Sequence, residues 1–85
     1  MSKKYWPHLT GPQALAEWER MFNEQGGRCA LGHSAKLLHV DHDHVSGAVR
    51  GLLCYNCNNG LGRFKDDIQT LQKAINYLKK HGKHE

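Results

Sequence analysis

Hydrophobic residues recur at helical spacing in the first third of the chain. Four of them follow a three-to-four-residue rhythm on one face: Leu15, Trp18, Met21 and Phe22. Thr10 suits the N-cap position, and Pro12 suits the first helical turn. Gly26-Gly27 then interrupts the pattern. The sequence therefore predicts an amphipathic helix that begins near Thr10 and ends before Gly26.

A second helical pattern occupies residues 66–82. Its apolar stripe consists of Ile68, Leu71, Ala74, Ile75 and Leu78. Asp66 and Asp67 stand at the start, where negative charge is favourable, and Lys79 and Lys80 stand near the end, where positive charge is favourable. These features predict a C-terminal helix with one apolar face.

The pattern in the middle of the chain predicts two β-strands. Residues 36–42 and 48–53 are rich in apolar and β-branched side chains, and Ser46-Gly47 between them is a turn signal. This pattern predicts a β-hairpin with residues 41–44 on the side of its tip. Residues 58–64 contain glycines, but we expect a short helix there. The chain is therefore predicted to be an α+β protein.

A chain of 85 residues is expected to form one domain over residues 1–85. We expect an N-terminal arm over 1–10, with Tyr5 and Trp6 able to pack onto the core, a central unit over 26–65 and the C-terminal helix over 66–82. Core residues beyond the stripes should include Phe64. A core this small rarely supplies more than about 3–5 kcal/mol, so a further stabilising element is expected.

The charge favours a polyanionic partner. Twelve Lys and Arg residues against eight Asp and Glu residues give a net charge of +4. The N-terminal lysines are not followed by an apolar signal segment, and no stretch approaches the roughly 20 apolar residues of a membrane span. We expect a soluble cytoplasmic protein without membrane contact, and a monomer by default.

The three cysteines are spaced as metal ligands. Both thiolates of Cys54-x-x-Cys57 can reach one zinc ion, and Cys29 supplies a third ligand. His33 is the preferred fourth ligand, with His39 as a weaker alternative. The opposing interpretation is that the cysteines are small buried hydrophobic residues or a thiol pair. A structural zinc would supply the stabilisation that the small core lacks.

The run Asp41-His42-Asp43-His44 precedes the Cys-x-x-Cys turn. A carboxylate, an imidazole that can act as a base and a nearby carboxamide are suited to cutting a phosphodiester with a divalent metal. Asp41 and His42 would point to opposite faces of a regular strand. A bend or bulge is therefore expected there.

Residues 38–44 followed by 49–62 resemble the HNH endonucleases, and most closely the recombination endonuclease VII-like branch. That branch runs D-H-D-H and then R-G-L-L-C-x-x-C-N, and the resemblance covers residues 26–65. It implies a ββα unit around a divalent metal with a structural zinc at its base. The fold expected is thus a small zinc-stabilised ββα-metal unit flanked by an N-terminal and a C-terminal helix.

The resemblance also implies roles for individual residues. Asp41 matches the metal-binding acid, His42 the general base and Asn58 the second metal ligand. Magnesium, manganese or another divalent ion can be held by one or two protein oxygens, with waters and substrate phosphate completing its shell. His44 is expected to contact the scissile phosphate or to assist the base. Asp43 can point away and orient a neighbour.

Three basic residues are candidates for contact with DNA: Arg50, Arg63 and Lys65. Arg50 can clamp a phosphate, although an arginine beside an apolar strand is as often a surface charge.

Two departures from the family stand out. Gly32 replaces the usual cysteine, and the long helical extension by which the junction-resolving enzyme dimerises is not seen, so junction specificity is not expected.

The predicted function is that of a metal-dependent DNA endonuclease. Water activated by His42 would attack the phosphate in line, and the resemblance implies that 5′-phosphate and 3′-hydroxyl ends would result. Low sequence specificity and nicking are expected as the default. One alternative is a zinc-stabilised nucleic-acid-binding module without catalysis. Another treats Asp41, His42 and His44 as ligands of a hydrolytic zinc.

Overall fold

The computed structural model describes residues 3–82 of the chain. After a short 3-10 turn at Lys3–Tyr5, its elements are α1 Gly11–Glu24, β1 His39–His42, β2 Val49–Leu53, α2 Tyr55–Arg63 and α3 Ile68–Lys80. The two strands form one antiparallel sheet. The prediction of an α+β protein with a central hairpin is confirmed, and α2 begins directly after Cys54 rather than at residue 58.

Helix α1 begins where its sequence signals place it. Thr10 is the N-cap, and its hydroxyl accepts a hydrogen bond from the Gln13 amide at 3.2 Å. The Gln13 side chain in turn accepts from the Thr10 amide at 2.9 Å, which completes a capping box. Beyond the helix, Gly26 and Gly27 adopt positive φ angles of 67° and 73°. These are conformations that glycine reaches without a steric penalty, so the helix ends here.

The hairpin carries the expected irregularity between Asp41 and His42. Asp41 pairs with Gly51 and His42 pairs with Val49, so Arg50 is an extra residue between the two pairs. The extra residue of this bulge therefore lies on β2 rather than on β1. A bulge re-aims the side chains around it. Arg50 is thereby directed toward Asp41.

The main core lies between α1 and β2. It consists of Trp6, Ala14, Met21 and Leu52, with Trp18 and Phe22 partly buried beside them. Trp6 is 7% exposed, so the N-terminal arm packs onto the domain, as the sequence allowed. A second cluster contains Leu53 and the three cysteines. Both clusters share strand β2, which therefore connects α1 to the cysteine group.

The Gln25 side chain joins α1 to β2. Its amide nitrogen donates to the carbonyl of Arg28 at 2.7 Å and to that of Leu52 at 3.0 Å. Its oxygen accepts from the Leu52 amide at 2.9 Å. Leu52 is fully buried, so this side chain satisfies backbone groups that water does not reach.

Helix α3 extends away from the domain. None of its residues is buried against the described part of the chain, and Ile68 and Leu78 are 80% and 50% exposed. Phe64, expected in the core, is 43% exposed. The radius of gyration is 15.1 Å, against about 12 Å for a compact chain of this length. No helix within residues 3–82 has the length and apolar character needed to cross a membrane.

Candidate active site and metal centre

Three cysteines and one histidine form a compact group. The ligand atoms of Cys29, His33, Cys54 and Cys57 all lie within 4.8 Å of one another. His33 Nδ1 is 3.0 Å from the Cys57 sulfur and 3.9 Å from the Cys54 sulfur. In a zinc tetrahedron with ordinary bond lengths, neighbouring ligand atoms are about 3.5–3.8 Å apart. The four side chains that the sequence spacing selected could therefore hold one zinc ion.

A tight turn brings His33 back toward Cys29. The Gly32 amide donates to the Cys29 carbonyl at 2.8 Å, and the Cys29 amide donates to the His33 carbonyl at 3.0 Å. Gly32 adopts a φ of 94°, which disfavours any residue with a Cβ. In the sequence, Gly32 is notable only because it replaces the cysteine of the family pattern. In the structure it is the residue that allows the turn.

The other half of the group lies at the start of α2. Cys54 is the N-cap of this helix, and its sulfur accepts a hydrogen bond from the Cys57 amide at 3.4 Å. The Cys29 sulfur accepts from the Leu31 amide at 3.4 Å. Backbone N–H donors of this kind stabilise thiolates, which are the metal-binding form of cysteine. His39, the alternative ligand, instead packs its ring against Tyr55.

The electrostatics of the thiols favour a bound cation. Burial, followed by hydrogen bonds to Cys54 and Cys29, raises the pKa of the Cys57 thiol to about 12. Burial also acts to raise the pKa of Cys29, but hydrogen bonds from Cys54, Leu31 and Cys57 outweigh it and hold that pKa below its ordinary value. The negative charge of one thiolate thus disfavours the ionisation of the next thiol. A bound metal ion would offset this repulsion between thiolates.

Asp41 is a buried carboxylate with a charged partner. Its residue is 7% exposed, and the Arg50 guanidinium donates to both oxygens, Nε to Oδ2 at 2.7 Å and Nη2 to Oδ1 at 3.0 Å. Arg50 Nη2 also lies 3.3 Å from Oδ2 of Asp66. The hydrogen bond to Asp41 is the main reason that the pKa of Arg50 is raised. Arg50 thus bridges two carboxylates rather than standing free at the surface.

His42 lies in a cluster of rings. Its imidazole is 5.3 Å from the Tyr5 ring and 5.2 Å from the His44 ring, measured between centroids. Tyr5 belongs to the N-terminal turn, which Trp6 anchors in the core. The proximity of Tyr5 to His42 has no signal in the linear sequence, because nothing in the pattern of the arm marks the face on which it packs.

Asn58 and His44 line one open cleft of about 410 Å³ beside α2, together with Tyr55, Asn59, Gly62 and Arg63. Of the predicted site residues, the structure therefore brings together Asn58, His44 and Arg63, with His42 adjacent through its contact with His44. Asp41 lies outside the lining of this cleft and faces Arg50. Lys65 belongs to the turn between α2 and α3.

Asp43 organises the hairpin turn. One of its carboxylate oxygens accepts hydrogen bonds from the amides of Val45 and Ser46, each at 2.8 Å. These backbone hydrogen bonds, led by that of Ser46, hold the pKa of Asp43 below its ordinary value. The Asp43 carboxylate thus holds the backbone of its neighbours Val45 and Ser46 in the turn.

Comparison with known proteins gives one family. The family model of recombination endonuclease VII matches residues 4–80. Gene 59 protein of Mycobacterium phage D29 is 49% identical over 69 residues, which are 75% of this chain and 42% of that protein. Gene 59 protein of Mycobacterium phage L5 is 46% identical over 67 residues, or 73% of this chain and 41% of that protein. This chain thus spans about four-tenths of the length of these relatives. No solved structure matches it significantly.

Proposed function

Because the chain belongs to the recombination endonuclease VII family, we propose that it is a DNA endonuclease. The observation that carries the proposal is the convergence of three features in one small unit. They are the Asp41-His42 pair at a strand bulge, the cleft that joins His44 to Asn58, and the Cys3His group. The net charge of +4 suits a polyanionic substrate.

We further assign the site to the HNH type. Strands β1 and β2 and helix α2 follow one another in the order that a ββα-metal unit requires. Asp41 and His42 come from the first strand, and Asn58 comes from the helix. Contacts of α2 with both strands support a single unit. This arrangement supports the proposed roles of Asp41 and Asn58 as ligands and of His42 as the base.

The Cys3His group is proposed to hold a structural zinc. It joins the loop after α1 to the start of α2, so the ion would cross-link the two ends of the hairpin unit. The chemistry of the ligands fits, since thiolates and imidazole are the ligands that zinc prefers. This link would compensate for a small main core, in which four residues are buried within the described range 3–82.

The catalytic ion is proposed to be magnesium or manganese, held by the carboxylate of Asp41 and the amide oxygen of Asn58. The buried Asp41 already binds a cation, the Arg50 guanidinium, through both oxygens. This contact supports the proposal that Asp41 can accept a positively charged partner. When bound, the divalent ion would polarise the scissile phosphate and stabilise the leaving 3′ oxygen.

The remaining steps belong to side chains. His42 accepts a proton from the attacking water, and the rings of Tyr5 and His44 restrict the orientation of its imidazole. His44 and Arg63 border the same cleft as Asn58, where they can contact phosphate oxygens. Lys65 is proposed to contact the DNA backbone. Backbone contacts carry little sequence information, so nicking of low specificity is expected.

A plasmid-nicking assay with a panel of divalent metals tests this proposal. Wild type should convert supercoiled to open-circular plasmid with magnesium or manganese and not with EDTA. His42→Ala should lower the rate by about 10²–10⁴-fold and leave zinc content and the circular dichroism spectrum unchanged. His81→Ala, an exposed histidine on the far end of the chain, is the matched control and should cut at the wild-type rate. Equal rates for the two variants would exclude His42 as the base.

The Asp41–Arg50 ion pair also favours a second candidate, a zinc-stabilised module that binds nucleic acid without cutting it. In that case the pair would only brace the hairpin. Such a module would slow the migration of plasmid DNA in a gel-shift assay. It would yield no nicked product with any metal. The hydrolytic-zinc alternative, with Asp41, His42 and His44 as ligands, has less support. Within residues 3–82, the group of three or more potential metal ligands lies at the cysteines and not at these three residues.

A further inference from the structure

Arg50 occupies the carboxylate to which the proposed catalytic ion would bind. The bulge on β2 aims its side chain at Asp41, and the guanidinium covers both oxygens at 2.7 Å and 3.0 Å. The Asp41 side chain is only 9% exposed, so few directions of approach remain. The observed pair is therefore a closed, charge-balanced form of the site.

A divalent ion and a guanidinium compete for such a carboxylate. Each carboxylate oxygen offers two lone-pair directions, and a two-point guanidinium contact uses one on each oxygen. An ion bound to either oxygen would then lie within a few ångströms of a second positive charge in a partly dehydrated place, where repulsion is strong. Binding of the ion is therefore opposed as long as the guanidinium remains on Asp41.

Asp66 is an alternative partner for the displaced guanidinium. Its Oδ2 is already 3.3 Å from Arg50 Nη2. Lys65 and Asp66 adopt successive positive φ angles of 55° and 56°, which non-glycine residues rarely do, and the Asp66 amide is tied to the Leu61 carbonyl at 2.9 Å. The turn between α2 and α3 thus holds Asp66 beside Arg50. A shift of the guanidinium toward Asp66 leaves no charge unpaired.

We propose that Arg50 is a positioning residue that competes with the catalytic ion for Asp41, and that Asp66 takes up the guanidinium when the ion binds. This inference rests on the proposed role of Asp41 as a metal ligand. If Arg50 is released to Asp66, Asp41 becomes free to bind the ion. A stronger Arg50–Asp66 contact should therefore favour ion binding at Asp41. The turn between α2 and α3, far along the chain from β1, would thereby influence the affinity of the site for its metal.

The test measures Mn²⁺ binding directly, by electron paramagnetic resonance of the zinc-loaded protein without DNA. Arg50→Met should bind Mn²⁺ at least about fivefold more tightly than wild type, because the competing cation is gone. Arg50→Lys is the matched control for charge. Lysine keeps the positive charge but cannot hold both oxygens, so it should also tighten binding, by a smaller factor. If Arg50→Lys binds like wild type while Arg50→Met binds more tightly, bulk charge explains the effect and the proposal is wrong.

Asp66→Asn tests the second half of the proposal. It should weaken Mn²⁺ binding about threefold in the wild-type background and have no effect in the Arg50→Met background, because Asp66 acts through Arg50. An equal loss in both backgrounds would mean that Asp66 attracts the ion directly, which overturns this half. Zinc content and circular dichroism of each variant verify its fold, and Arg50→Lys carries the test if Arg50→Met does not fold.

Asp41→Asn separates this inference from the proposed function. If Asp41→Asn binds Mn²⁺ as wild type does, Asp41 is not a ligand and the proposed function is wrong at this residue. If Asp41→Asn loses Mn²⁺ while both Arg50 variants bind it with wild-type affinity, the metal site stands and competition by Arg50 is refuted.

Discussion

Gln25 connects helix α1 to strand β2, and its replacement by alanine should lower the free energy of unfolding by about 2–3 kcal/mol. The Leu52 amide would lose its partner, the Gln25 oxygen at 2.9 Å, inside a fully buried residue. Leaving such a donor unpaired costs about 1–3 kcal/mol. The Leu52 carbonyl would lose one bond of two, since the Ala30 amide still donates to it at 2.9 Å. The exposed Arg28 carbonyl would bind water instead, and adds little.

The assay is urea unfolding followed by circular dichroism at saturating zinc, with thermal unfolding as a second measurement. The melting temperature of Gln25→Ala should fall by at least about 8 °C, given the scaling for a domain of this size. Gln72→Ala is the matched control, because this glutamine lies exposed on α3 and its side chain donates to the Asn76 side chain at 3.1 Å. Its cost should stay within about 0.5 kcal/mol.

Gln25→Glu sharpens the test. It keeps the oxygen that accepts from Leu52 but replaces the donating amide with a second oxygen, which would then face the carbonyls of Leu52 and Arg28. Glutamate should therefore be at least as destabilising as alanine. If Gln25→Ala costs no more than Gln72→Ala, the hydrogen bonds of Gln25 do not hold α1 against β2 and the reasoning fails.

Three further predictions concern the site. Asp41→Ala and Asn58→Ala should both raise the magnesium concentration needed for nicking, and extra magnesium should rescue Asn58→Ala more fully, because it loses a ligand without losing charge; activity insensitive to metal in both would refute the ligand assignment. Cys57→Ser should lose zinc and most of its folded population, and His33→Ala should lose zinc affinity; full zinc and an unchanged melting temperature in His33→Ala would assign the fourth position elsewhere. The pKa of Asp43 is lowered in the folded chain, so its stabilisation is present above the ordinary aspartate pKa and disappears as pH falls below it. Between pH 5 and about 3, the melting temperature of wild type should therefore decline more steeply than that of Asp43→Ala, and parallel curves would contradict this.

Much of the local structure was determined by short-range signals. The capping residue Thr10, the glycines after α1 and the turn at Ser46-Gly47 act within a few positions of the element that they delimit, so the sequence alone predicts α1 and the hairpin. The same holds for the Cys3His group. Ligands that share one ion are constrained to short spacings within each half of a knuckle, and Cys29 with His33 and Cys54 with Cys57 show those spacings.

The placement of α3 was decided by tertiary structure. Periodicity reveals that a helix has an apolar face but not what covers it, and in the described chain that face remains largely exposed. The direction of α3 depends on the positive φ angles of Lys65 and Asp66. Neither is a glycine, so the sequence carries no signal for this turn.

The surroundings of the reacting groups were likewise decided only in three dimensions. Asp41, His42 and Asn58 are recognisable from their motif, yet the partners of the first two come from distant segments. Arg50 reaches Asp41 through a bulge that shifts the strand register, and Tyr5 reaches His42 because Trp6 anchors the N-terminal turn. Motif residues are identified by chemistry and spacing, whereas ion pairs and ring contacts between distant segments depend on how the elements pack, which no local pattern encodes.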